Sequence, residues 1–148
     1  MSTIIQKSRT ILLILAVILF FSACASGRFN ISNDLSPAEL IQRAQEASDR
    51  NRYKTALQYY EALLERYSYN IELVCTAEYE IAFIHYKQKK YADARTGFNT
   101  LLERYESPDQ ELLPQQFKRL ANIVLDQITE KEKPKFPFSL FTKKEANA

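Results

Sequence analysis

Tyr53–Tyr67 reads YKTALQYYEALLERY, and Tyr91–Tyr105 reads YADARTGFNTLLERY. The two stretches are equal in length and share Tyr53/Tyr91, Ala56/Ala94, Leu63/Leu101, Leu64/Leu102, Glu65/Glu103, Arg66/Arg104 and Tyr67/Tyr105, with Tyr60 matched by Phe98. At about 100° per residue, the Tyr, Ala, aromatic and Leu positions fall in one stripe roughly 120° wide. Both stretches are expected to be amphipathic helices that bury the same face in the same way.

Each is preceded by another helical segment, 37–50 and about 72–87. The first opens at Ser36-Pro37-Ala38-Glu39, with an N-cap hydroxyl, a proline at the first helical position and a glutamate at the third, the arrangement of a capping box. Leu35 and Leu40 are spaced for the accompanying hydrophobic staple. The second is apolar on two sides. Leu73, Val74, Ala77, Ile81 and Ile84 share one face, and Cys75, Tyr79, Ala82, Phe83 and Tyr86 share nearly the opposite one. A helix of that kind is packed between neighbours. Helix, short turn, helix, recurring at the offset that carries Tyr53 to Tyr91, is a solenoid pattern. A third unit opens at Pro114, where Phe117, Leu120, Ala121, Val124 and Ile128 are expected on one face. It has no second helix, as befits a terminal capping helix.

These residues resemble the tetratricopeptide (TPR) family, through small Ala44 and Ala82 on the first helices and Tyr53/Tyr91, Ala56/Ala94 and Tyr60/Phe98 on the second. The resemblance covers about residues 36–129. It implies an all-α fold, a TPR-type solenoid of two helical hairpins plus a C-terminal capping helix. The step from Tyr53 to Tyr91 is longer than that family's usual period of about 34 residues. Ser68 and Glu106 stand where the family usually closes with proline.

The N-terminal region is of another kind. Met1–Thr10 is short and basic, and Ile11–Phe21 (ILLILAVILFF) is an unbroken apolar run. As a helix, that run covers only about half of a roughly 30 Å hydrocarbon core, which fits a secretory signal better than a transmembrane span. Phe21-Ser22-Ala23-Cys24 then resembles the lipobox of bacterial lipoproteins, with Phe21 where leucine is usual. By that resemblance residues 1–23 are a signal peptide and Cys24 carries the lipid. Lipid chains there would provide the membrane anchor. Residues 24–35 are read as a lipidated tether, 36–130 as the TPR domain and 131–148 as a flexible tail. Pro134 and Pro137 are expected to end any helix, and Phe136, Phe138, Leu140 and Phe141 form an apolar knot between lysines. No aspartate follows Cys24, which by the family's sorting pattern points to the periplasmic face of the outer membrane.

The formal charge is +2, but Lys7 and Arg9 lie in the leader and the remainder carries 18 basic and 18 acidic side chains. A neutral chain has no electrostatic footprint for nucleic acid. Catalysis is unsupported by inventory. Gly27 and Gly97 are isolated, so no glycine-rich loop cradles a phosphate. His85 is the single histidine, and no Cys/His cluster is spaced for a metal. Cys75, without a partner once Cys24 is lipidated, reads as a small buried apolar residue. The expectation is no enzyme, no cofactor, no metal and no small-molecule substrate.

Binding remains. In TPR proteins the first helices line a groove that holds an extended peptide, and the matching positions are Ile41, Gln45 and Asp49 in the first hairpin with Tyr79, Phe83, Tyr86 and Lys87 in the second. Aromatics beside a lysine suit a peptide bearing an aromatic and a carboxylate; packing of Tyr79 and Tyr86 against adjoining helices is the equal alternative. The LLERY endings and the anchor resemble, in reduced form, the BamD family of lipoproteins of outer-membrane β-barrel assembly. The partners so implied are other envelope proteins. Envelope maintenance or division, and ligand delivery to a transporter, stand as alternatives.

Overall fold

The computed structural model describes residues 30–133, and they are all-helical, with no strand among them. Five α-helices follow one another: α1 (Pro37–Asp49), α2 (Tyr53–Arg66), α3 (Ile71–Lys87), α4 (Tyr91–Glu103) and α5 (Gln115–Glu132), with two 3-10 turns, Arg104–Glu106 and Gln110–Leu112, between the last two. The expected signal peptide 1–23, the expected lipidation site Cys24 and the Phe136–Phe141 segment lie outside the described residues.

The local chemistry accounts for where the helices start. The Ser36 hydroxyl accepts from the Glu39 N–H at 3.3 Å, and the Ser36 N–H donates to the Glu39 carboxylate at 2.9 Å. This backbone bond holds the Glu39 carboxyl below its ordinary range. Leu40 is fully buried and Leu35 packs in the same cluster, as a staple requires. At α3 the Asn70 side chain accepts from the Leu73 N–H at 3.2 Å. The first turns of α2 and α4 have no side-chain cap.

Consecutive helices pack on one another, and α5 also touches α3. Two apolar cores result, with α3 shared between them. On one side, Ala77 and Ile84, flanked by Leu73 and Ile81, join Leu40, Ala44, Ala56, Tyr60 and Leu63 of α1 and α2. On the other, Cys75, Tyr79 and Ala82, flanked by Phe83 and Tyr86, join Ala94, Phe98 and Leu101 of α4 and Ala121, Val124 and Ile128 of α5. This is the two-faced α3 that the sequence pattern requires. Where α3 meets α4 the approach is close: a Cβ on Gly97 would lie 2.9 Å from the Ala82 Cβ. Cys75 is fully buried, and burial pushes its thiol above the ordinary range.

The repeated Arg-Tyr pair ties the chain down at one end of the bundle. Arg66 donates to the carbonyls of Ile31 and Ser32 at 3.0 and 2.9 Å, and Arg104 grips the Glu78 carboxylate through two bonds of 2.7 and 2.6 Å. The Tyr105 hydroxyl donates to the Pro114 carbonyl at 2.7 Å, fixing the start of α5. Burial raises that hydroxyl to about 12.

Three expectations change in detail. Ile31–Leu35, read as the end of a tether, is held by Arg66 and by Ile31 and Leu35 packing on the first core. Helix α5 continues to Glu132, past the expected boundary at 130, because nothing breaks it before Pro134. Leu120 is 40% exposed. The buried stripe of α5 centres on Ala121, Val124 and Ile128, and Leu120 falls on a flank that no described helix covers.

Candidate partner-binding groove

The turns that join α1 to α2 and α3 to α4 set the geometry at the other end of the bundle. Asn51 and Lys89 have φ of 56° and 61°. Each is followed by a residue whose N–H reaches back five positions, Arg52 to the Ala47 carbonyl at 2.8 Å and Lys90 to the His85 carbonyl at 3.0 Å. This is the 6→1 bond of a Schellman ending. Beside these turns, the last turns of α1 and α3 are linked through the Lys87 and Ser48 side chains.

Along α3 three rings form a ladder: Tyr79 to Phe83 at 5.9 Å and 13°, and Phe83 to Tyr86 at 5.8 Å and 21°. Such offset stacking is favourable beyond the area buried. The Lys87 ammonium lies 5.6 Å from the Phe83 ring centre and donates to the Ser48 hydroxyl of α1 at 3.0 Å. Ser48 is buried, Phe83 half-buried, and Lys87 exposed. A cation is thus presented beside an aromatic face, over the seam between the first and second hairpins.

The sequence-derived residues divide. Phe83 and Lys87 come together with the last turn of α1, where Asp49 is exposed. Gln45 is exposed one turn earlier on α1, and Ile41 packs on the first core. Tyr79 is corrected to a core residue: it is 8% exposed, with Phe117 of α5 at 5.4 Å and Phe98 of α4 at 5.6 Å. Tyr86 is also engaged. Its hydroxyl donates to Gln127 at 2.8 Å and accepts from Lys131 at 2.8 Å, and the Lys131 ammonium stands 4.6 Å from its ring centre. Packing against neighbouring helices, one of the two readings left open for these tyrosines, describes both.

Four participants were not legible. Ser48, Glu80 and Gln127 carry no motif, and Lys131 lies just past the helix end expected from the sequence. Helical spacing offered one signal, since Lys131 lies on α5 three positions after Ile128. Burial raises the Glu80 carboxyl above its ordinary value; the nearby Lys87 pulls it down and Asp49 pushes it up. The Tyr60 hydroxyl, enclosed near the same two carboxylates, is raised chiefly by burial and has no hydrogen-bond partner among the described residues. Among the described residues, no group of three His, Cys, Asp or Glu could hold a metal ion, and no helix is long and apolar enough to cross a membrane.

The chain is 34% identical over 113 residues to an uncharacterized protein of Treponema pallidum (strain Nichols), an alignment that covers 75% of this chain and 45% of that protein. It therefore spans less than half the length of the relative it matches. No protein-family profile and no solved structure matches it.

Proposed function

We propose that this chain is a lipid-anchored, TPR-type interaction scaffold of the bacterial cell envelope, attached through Cys24 to the periplasmic face of the outer membrane. In this reading it binds other envelope proteins during outer-membrane protein assembly and performs no chemistry of its own. The hairpins are two TPR-like units with α5 as the cap. Supporting this are the internal repeat, the like turns at Asn51 and Lys89, and the sharing of α3 between two cores. The lipobox-like Phe21–Cys24 supports the anchor.

The observation that carries the binding role is the pairing of Phe83 with Lys87 over the α1–α3 seam. An aromatic face beside a fixed ammonium suits an extended peptide bearing an aromatic side chain and a carboxylate. Affinity purification of the full chain from membranes, with mass spectrometry of what accompanies it, tests the process. Recovery of β-barrel proteins or their assembly subunits is the expected result. Recovery of a solute-binding protein and a transporter instead would overturn it in favour of ligand delivery.

A further inference from the structure

The end of the bundle opposite the Lys87 seam exposes three large apolar side chains. Tyr69 is 81% exposed and Leu112 79%, and Ile71 joins them at 40%. Tyr69 lies in the α2–α3 turn, Ile71 at the start of α3 and Leu112 in the second 3-10 turn. Ile71, Leu112 and Leu113 line an open cleft of about 350 Å³ together with Arg104, Ser107 and Asp109. Large apolar side chains that no described residue covers, gathered at one end of a helical bundle, are characteristic of a contact surface.

The path of the chain says which surface covers them. Residues 31–35 are fixed at this same end: Arg66 holds the Ile31 and Ser32 carbonyls, the Tyr67 hydroxyl reaches the Leu35 carbonyl at 3.5 Å, and the Tyr67 and Tyr69 rings are 6.3 Å apart. Ile31 follows Cys24 by seven positions, so this end lies no more than about 25 Å from the anchoring residue. Helix α3 runs 17 residues, which carries the Lys87 seam roughly 25 Å further away. The described chain thus enters the bundle at its apolar end.

We infer that Tyr69, Ile71 and Leu112 rest on the lipid surface and orient the bundle upright, with the Lys87 groove facing away from the membrane. Tyrosine and leucine suit the interface, where an apolar body meets a wet boundary. The exposed carboxylates at this end, Asp34, Glu72, Asp109 and Glu111, disfavour an anionic surface, so the surface is a zwitterionic one. This orientation rests on the anchored reading above, and the test separates the two.

The protein has no tryptophan, so Tyr69→Trp, Leu112→Trp and Lys90→Trp each create a single reporter. The full lipidated chain is reconstituted on phosphatidylcholine vesicles with brominated acyl chains. At positions 69 and 112 the emission should shift to the blue and fall at least twofold, while at 90, on the far end, it stays unquenched. Equal emission at all three overturns the orientation even if the protein floats with the vesicles, and leaves a protein partner as the cover for this end. Flotation of a Cys24→Ala chain judges the anchor separately: loss of flotation supports it, and undiminished flotation refutes it while quenching still decides the orientation. A full chain that does not float at all refutes both.

Discussion

Asn51 and Lys89 occupy the same place in two like turns, α1–α2 and α3–α4, one repeat apart, and both hold the left-handed backbone conformation with φ near 60°. Asparagine tolerates that region and lysine does not, at a penalty of about 1 kcal/mol relative to glycine. Lys89→Gly should therefore stabilise the fold by about 0.5–1 kcal/mol, a rise of several degrees in thermal midpoint. Asn51→Gly should gain less. Calorimetry of both variants checks the order, and a loss of stability in Lys89→Gly would contradict the turn geometry.

The contact between Gly97 and Ala82 sets two effects against each other. Replacing glycine by alanine inside a helix ordinarily gains about 1 kcal/mol. Here the added Cβ would meet the Ala82 Cβ at 2.9 Å, with the Ala82 Cα 3.4 Å away, so α3 and α4 must move apart, and overpacking of this kind costs about 1–3 kcal/mol. Gly97→Ala should lower the melting temperature. Ala94→Leu, at a fully buried position, should lower it further, while Ala92→Leu on the exposed face should leave it nearly unchanged. Similar midpoints for Ala94→Leu and Ala92→Leu would show the register of α4 to be different.

Glu80 gives the fold a pH dependence of definite sign. Burial raises its carboxyl pKa in the folded state, so between the unfolded and folded values the native chain binds more protons than the unfolded one. Stability from this group is then full below the ordinary glutamate range and falls as pH rises through the folded value. Glu80→Gln removes the charge and should raise the thermal midpoint at pH 7, with the advantage over the parent shrinking toward pH 4. Thermal melts across that range measure it, and an advantage that grows on acidification would reverse the assignment.

How much of this was written in the sequence differs by feature. The hairpins, the two-faced α3 and the capping box at Ser36 are products of periodicity and local hydrogen bonding, both of which are read along the chain. The exposure of Leu120 depends on which flank of α5 no other described helix covers, a property of how the helices pack and not of any one of them. The hold of Arg66 on Ile31 and Ser32 uses backbone carbonyls, which no side-chain pattern announces. In the groove, the aromatic and cationic character of Phe83 and Lys87 was legible. The burial of Tyr79 was legible only as one of two equal readings, because the choice depends on Phe117 arriving from α5, two helices further along the chain.

The Lys87 ammonium over Phe83 is where the binding account is most exposed to test. The measurement is quantitative recovery of membrane partners by the tagged full chain, compared between the parent, Lys87→Glu, and Glu61→Lys on the exposed side of α2. Lys87→Glu should reduce recovery of the dominant partner at least tenfold, since it replaces an attractive contact with a repulsive one. Glu61→Lys should leave recovery unchanged. Equal recovery by all three chains would contradict the assignment of this groove as the binding surface.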